Sequence, residues 1–150
     1  MKTILRTHSD NDDFISLVRQ LDSYLAVTDG DEHAFYNQYN KLDHIKHVVV
    51  IYVHKKPVSC GAIKHYDDNT MEVKRMFTVP QARGTGLAGN VLQELEDWAR
   101  ELGYNRCILE TGKRQIEAVR LYTKEQYTPI PNYGQYQEME NSLCFEKQLK

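Results

Sequence analysis

At 150 residues, with 41% hydrophobic and 27% charged side chains, the chain has the size and composition of one globular domain, 1–150, with a core of its own. Nineteen Lys and Arg against 21 Asp and Glu leave a net charge of −2, without the basic excess of a nucleic-acid binder. The longest strongly apolar run, Val48–Val53, is six residues where a membrane span takes about twenty, and MKTILRTHSD carries no apolar leader stretch, so a cytoplasmic protein without membrane or nucleic-acid partners is expected.

Lys2–Thr7 is predicted as a first strand. Ser9 and Asp10 offer N-cap oxygens to a helix carrying Phe14, Leu17, Val18, Leu21 and Leu25 at helical spacing. Asp29 to Asp43 is polar and aromatic, a short helix with loops. Lys46–His54 is a β-branched run that Lys55-Lys56-Pro57 turns back into Val58–Tyr66, and Asp67-Asp68-Asn69 turns that into Met71–Val79. Three strands joined by short turns predict an antiparallel meander. Leu87, Val91, Leu92, Leu95, Trp98, Ala99 and Leu102 then share one helix face, which Gly103 ends in a left-handed C-cap. Arg106–Glu110 is a short buried-type strand, Gln115 to Gln126 a helix, and Ser142–Gln148 a last strand. This order requires Met71–Val79 and Arg106–Glu110 to pair in parallel. The fold class is α/β (α+β): a mixed central sheet with antiparallel N-terminal strands and a parallel β-α-β unit.

Between strand and helix lies Arg83-Gly84-Thr85-Gly86-Leu87-Ala88-Gly89. Successive backbone N–H groups at a helix N-terminus bind anions, and glycine lets a phosphate come close. A nucleoside triphosphate would need a lysine after the glycines, and none follows. A dinucleotide is suggested by the G-x-G-x-x-G of Gly84, Gly86 and Gly89, with Glu110 placed as a ribose-binding acid. Against it, Pro80-Gln81-Ala82-Arg83 separate the strand from the first glycine, and only forty residues follow Glu110. The pyrophosphate of coenzyme A is the third candidate.

The stretch from Met71 to Tyr127 resembles the GNAT N-acetyltransferase superfamily. Its signature [QR]-x-x-G-x-[GA] is met by Arg83-Gly84-Thr85-Gly86-Leu87-Ala88, with Thr78-Val79-Pro80 before it and A-x-x-L-Y at Ala118–Tyr122 beyond. Gln115 stands where many members carry Asn, and Gln126-Tyr127 replaces a common Gly-Phe or Gly-Tyr.

The resemblance implies transfer of an acetyl group from acetyl-CoA to a primary amine by direct attack. It implies that Met76, Phe77 and Thr78 face the pantetheine arm. Arg83, Gly84, Thr85, Gly86, Leu87 and Ala88 would hold the pyrophosphate, and Gln115 would add a cofactor contact. Tyr122 takes the position of the general acid, although Ile116, Val119 and Tyr122 equally suit a core-facing helix stripe. Glu72 takes that of the base, with Glu110 as second candidate.

The acceptor should enter between the first helices and the C-terminal loop. The first offer Tyr24, Asp29, Asp31, Glu32, Phe35, Tyr36 and Tyr39; the second offers Asn132, Tyr133, Gly134, Tyr136, Glu138 and Glu140. Tyr24, Tyr36 and Tyr133 are the leading substrate contacts. Carboxylates and tyrosines suit a cationic amine, either a small molecule or amino-acid derivative, or a protein N-terminus or lysine. A non-catalytic acyl-CoA-binding module is the remaining alternative. No metal is expected, because His44 and His47 share a helical spacing without a third ligand. Cys60, Cys107 and Cys144 are spaced neither as a disulfide framework nor as a zinc site. Members of the family are often homodimers.

Overall fold

The computed structural model of the chain describes residues 1–30 and 44–149. Seven strands form one sheet: β1 (Lys2–Thr7), β2 (His47–Val53), β3 (Lys56–Asp67), β4 (Thr70–Thr78), β5 (Arg106–Gly112), β6 (Thr128–Ile130) and β7 (Ser142–Gln148), in the order β1-β2-β3-β4-β5-β7-β6. Among the described residues three α-helices accompany them, α1 (Asp12–Asp29), α2 (Leu87–Glu101) and α3 (Ile116–Lys124). Every pairing is antiparallel except β4 with β5. The mixed sheet and its parallel β4–α2–β5 unit are those expected.

The run Val48–Ile51 is continuously apolar because both faces of β2 are covered. Val48 and Val50 pack with Phe14, Leu17 and Val18 of α1, while Val49 and Ile51 pack with Val91, Leu92 and Leu95 of α2. Successive strand side chains point to opposite faces, so two helices on opposite sides require both sets to be apolar.

Four local details differ from expectation. The cap of α1 is Asn11, whose Oδ1 accepts from Phe14 N at 3.0 Å. Ser9 is buried and its Oγ accepts from Ile45 N at 2.8 Å instead, tying the end of β1 to the chain before β2. The β2–β3 turn is His54-Lys55, both left-handed (φ 52° and 68°), so Lys56 and Pro57 already belong to β3; two positive φ values match the right-handed twist of the flanking strands. A three-residue strand, β6, lies at the sheet edge against β7 and was not expected. Gly103 does take the left-handed conformation after α2, at φ 92°. Most of the polar and aromatic stretch from Asp29 to Asp43, including Asp31, Glu32, Phe35, Tyr36 and Tyr39, lies outside the described residues.

Two features of β4 open the sheet. Its parallel pairing with β5 covers only Thr70, Met71 and Glu72. From Leu109 to Gly112, β5 continues against β7 alone, so β4 from Val73 onward presents an edge without a strand. On its other side, Cys60 pairs with Phe77 and Ala62 with Lys74, leaving Gly61 opposite both Arg75 and Met76. This is a β-bulge, and Arg75 sits in it at φ 61°. Gly61 permits the close approach here, since a Cβ would stand 2.8 Å from Val91 Cγ1 and 3.0 Å from Leu95 Cδ1.

Candidate functional site

After β4 the chain makes one 3₁₀ turn, Pro80–Ala82, and then passes through Gly84 (φ 80°) and Gly86 (φ 84°) into α2. Left-handed backbone favours glycine at both places, and a Cβ on either would meet nothing within 4 Å. The loop is therefore open towards solvent. Gly86 caps α2 without a side-chain hydrogen bond, and the first-turn N–H groups of a helix have no partner within it. Thr85 Oγ1 donates to Ala82 O at 2.7 Å and Arg83 Nε to Thr78 O at 2.8 Å. The Arg83 guanidinium lies 5.7 Å from the ring centres of both Tyr24 and Phe77, which brings α1 to the mouth of the loop.

This loop forms one end of a cleft of about 600 Å³. Met76, Phe77 and Thr78 line it from β4, Gln115, Ala118, Leu121 and Tyr122 from the α3 side, and Leu21 and Tyr24 from α1. Arg83, Gly84, Gly86, Leu87 and Ala88 line it as well. A smaller pocket of about 80 Å³ lies where β4 and β5 part, lined by Glu72, Lys74, Arg75, Glu110, Thr111, Gly112 and Tyr136. Leu21, Met76, Gln115 and Tyr122 are common to the walls of the two spaces.

Tyr122 stands in that shared wall. Its ring packs against Tyr127 at 5.9 Å and Phe145 at 6.2 Å, and the side chain is 6% exposed. Burial first, and the charge of Glu110 second, push its phenol well above the ordinary value of 10.0, so it carries its proton throughout the physiological range. The ring belongs to the core, and the residue also lines both clefts.

Glu72 is fixed from behind. Tyr133 Oη donates to its Oε2 at 2.6 Å, and Lys74 Nζ lies 4.0 Å from its Oε1. Burial, and then Glu72 itself, push the Tyr133 phenol upward, so Tyr133 remains a donor. Its ring is held edge-on by Tyr66 at 5.4 Å and Tyr136 at 5.8 Å. Of the aromatic residues expected near an acceptor, Tyr24 and Tyr136 line the clefts; Tyr133 lines neither and buttresses Glu72 instead.

The cysteines are buried, and burial pushes their thiols up, Cys60 and Cys107 to about 12 and Cys144 to about 11, which keeps them protonated and poorly nucleophilic. Among the described residues no three His, Cys, Asp or Glu side chains converge as a metal site, and no helix is long and apolar enough to cross a membrane. Arg75 was not foreseen at the pocket: its burial follows from the bulge, which no pattern along a single strand announces.

Residues 12–126 match the sequence profile of the Acetyltransferase (GNAT) family. The chain belongs to that family. An IAA acetyltransferase from Azospirillum brasilense is 39% identical over 93 residues, 61% of this chain and 61% of that protein, so the match spans about three-fifths of the curated relative's length. A Klebsiella pneumoniae protein assigned as an acyl-CoA N-acyltransferase superposes with a TM-score of 0.84 at 28% identity, over 100% of this chain and 99% of its own. The fold recurs in a GNAT acetyltransferase from Elizabethkingia anophelis solved with acetyl-CoA bound, with a TM-score of 0.72 at 14% identity, covering 99% of this chain and 98% of that one.

Acetyl-CoA is the cofactor of the GNAT family, and the residues present suit such a ligand. Two left-handed glycines beside open space, followed by the first turn of α2, form a cradle of the kind that suits a pyrophosphate. The exposed edge of β4 from Val73 to Thr78 leads from that cradle to the smaller pocket.

Proposed function

We propose that the protein transfers an acetyl group from acetyl-CoA to a primary amine of a small molecule or amino-acid derivative, by direct attack. The observation that carries this reading is that Tyr122 and Met76 wall both the glycine-loop cleft and the smaller acidic pocket. When bound, acetyl-CoA would supply an activated acetyl group for the acceptor nitrogen, with coenzyme A leaving as its thiol.

Gly84, Gly86 and the first-turn amides of α2 bind the pyrophosphate, with Arg83 and Thr85 shaping the loop and Leu87 and Ala88 carrying it into the helix. Met76, Phe77 and Thr78 align the pantetheine arm along the free β4 edge, and Gln115 contacts it from the opposite side. Glu72 Oε1 takes the proton that the amine sheds, while Oε2 stays on Tyr133. Tyr122 Oη holds a proton for the departing sulfur. No covalent enzyme nucleophile is needed, which agrees with three buried, protonated thiols. Tyr24 lines the larger cleft beside Arg83, where it borders the cofactor side. The small size of the inner pocket, about 80 Å³, favours a compact acceptor over a protein substrate.

The test is release of free CoA from acetyl-CoA with a panel of amino acids, polyamines, simple amines and peptides. Turnover with small amines and none with peptides is expected. Turnover with peptides alone transfers the reading to a protein N-acetyltransferase. Absence of turnover across the panel, with acetyl-CoA still raising the melting temperature, would mean a binding module.

A further inference from the structure

Arg75 is the cation that the bulge of β4 buries. Its side chain is 2% exposed, Nη1 donates to Asp22 Oδ1 of α1 at 3.0 Å, and Nη2 is buried without a hydrogen-bond partner. Among the described residues one other buried side-chain atom lacks a partner, Asn141 Nδ2. It lies behind Gly112, where a Cβ would stand 3.5 Å from it. Arg75 and Gly112 both line the smaller pocket. The two unsatisfied atoms are thus both donors, and both belong to or adjoin one pocket.

Buried donors are almost always satisfied in folded proteins, and an exception calls for a missing partner. What completes a guanidinium edge is an anion, above all a planar carboxylate that accepts from its fork of N–H groups. The same pocket is lined by the carboxylates of Glu72 and Glu110, which suit an amine. Opposite charges presented together call for a ligand carrying both. The pocket volume of about 80 Å³ accommodates a compact polar molecule, since a single water occupies only ~10–15 Å³ on that measure.

Building on the acetyl-transfer reading above, we propose that the acceptor is an amphoteric amine, a free amino acid or close analogue, whose carboxylate is bound by Arg75 through Nη2. Its amine then faces Glu72 and Tyr122. Arg75 is in this account a specificity-determining residue. Asp22 holds the guanidinium by Nη1, while Nη2 is buried without a protein partner.

The test compares amino acids with their carboxamides, as kcat/KM per unprotonated amine, on the full chain. The carboxylate form is expected to be preferred by roughly 10–100-fold, the range of a charge-assisted hydrogen bond, and Arg75→Gln to bring the ratio close to one. An independent measurement avoids any folding defect of the variant: with CoA present, an amino acid should raise the wild-type melting temperature and its carboxamide should not. Equal turnover of acids and amides by the wild type, or a preference that a folded Arg75→Gln retains, overturns the assignment while leaving amine acetylation standing. If neither series is acetylated while simple amines or polyamines turn over, this proposal falls and amine acetylation stands; if no amine of any kind is acetylated although acetyl-CoA binds, both fall.

Discussion

Tyr122 combines two roles that normally compete. A phenol raised well above 10.0 by burial and by Glu110 is always protonated but is a weaker acid than an exposed tyrosine. A thiol, with an ordinary value near 8.5, is a fair leaving group without help. Tyr122 therefore serves mainly by holding a hydrogen bond to a departing sulfur. Tyr122→Phe is expected to lower kcat by about 100-fold or less, the low end for acid–base groups, with little change in the KM for acetyl-CoA. The ring contacts to Tyr127 and Phe145 survive, so the melting temperature should change little. Full activity in a folded Tyr122→Phe would remove the residue from the mechanism. Glu72 offers a graded comparison. Glu72→Gln should lose turnover most at low pH, where the amine is largely protonated and a base matters most. Tyr133→Phe should give a smaller loss, because the carboxylate stays while its 2.6 Å donor goes. A pH–rate profile unchanged in both would make the pair structural.

At the scale of elements, glycine acts in two physically different ways, and two substitutions separate them. Gly86 is left-handed beside open space, whereas Gly61 is pressed against α2. Gly86→Val should abolish acetyl-CoA binding and cost on the order of 1–2 kcal/mol of stability from the backbone alone, read as a lost thermal shift with the fold retained. Gly61→Ala should destabilise by about 1–3 kcal/mol through overpacking, seen in denaturant melts; a Gly61→Ala variant as stable as the wild type would mean α2 shifts freely. The contrast also marks what was legible beforehand. The glycine loop and the meander rest on patterns local to neighbouring segments, and the parallel crossover follows from the order of the elements, so alternation, helical spacing, motif and chain order sufficed. The bulge is a property of the register between β3 and β4, and with it went the burial of Arg75. The strand β6 is three residues containing Pro129, too short for any alternation to register. Asn11 was missed as the cap because Ser9, Asp10 and Asn11 are all capping residues in succession, and only the turn geometry selects among them.

Among the described residues two large cores pack on opposite faces of a single sheet beside a smaller third cluster, and buried acidic protons are stored in all three. Cys60 belongs to the α1 core, Cys107 to the α2 core and Cys144 to a small cluster with Tyr136. Burial raises these thiols from an ordinary 9.0 to about 12, 12 and 11, and the phenols of Tyr122, Tyr127, Tyr133 and Tyr136 above 10.0. A group whose folded pKa is raised stays protonated in the fold after it has ionised in the unfolded chain. Its contribution is whole below the unfolded value and is lost as pH climbs towards the folded one. Each such group removes about 1.4 kcal/mol of stability per pH unit inside its window. Stability should therefore be flat in these groups from pH 6 to 8, begin to fall near pH 9 as the thiols of the unfolded chain ionise, and fall faster above pH 10 when the tyrosines join. Melting temperatures from pH 7 to 11 test this, and Cys60→Ala supplies the control. That variant loses packing and so melts lower at every pH, yet its curve should descend less steeply between pH 9 and 11 than the wild type's. Parallel curves would mean that Cys60 ionises as readily in the fold as out of it, and that the alkaline limit is set elsewhere.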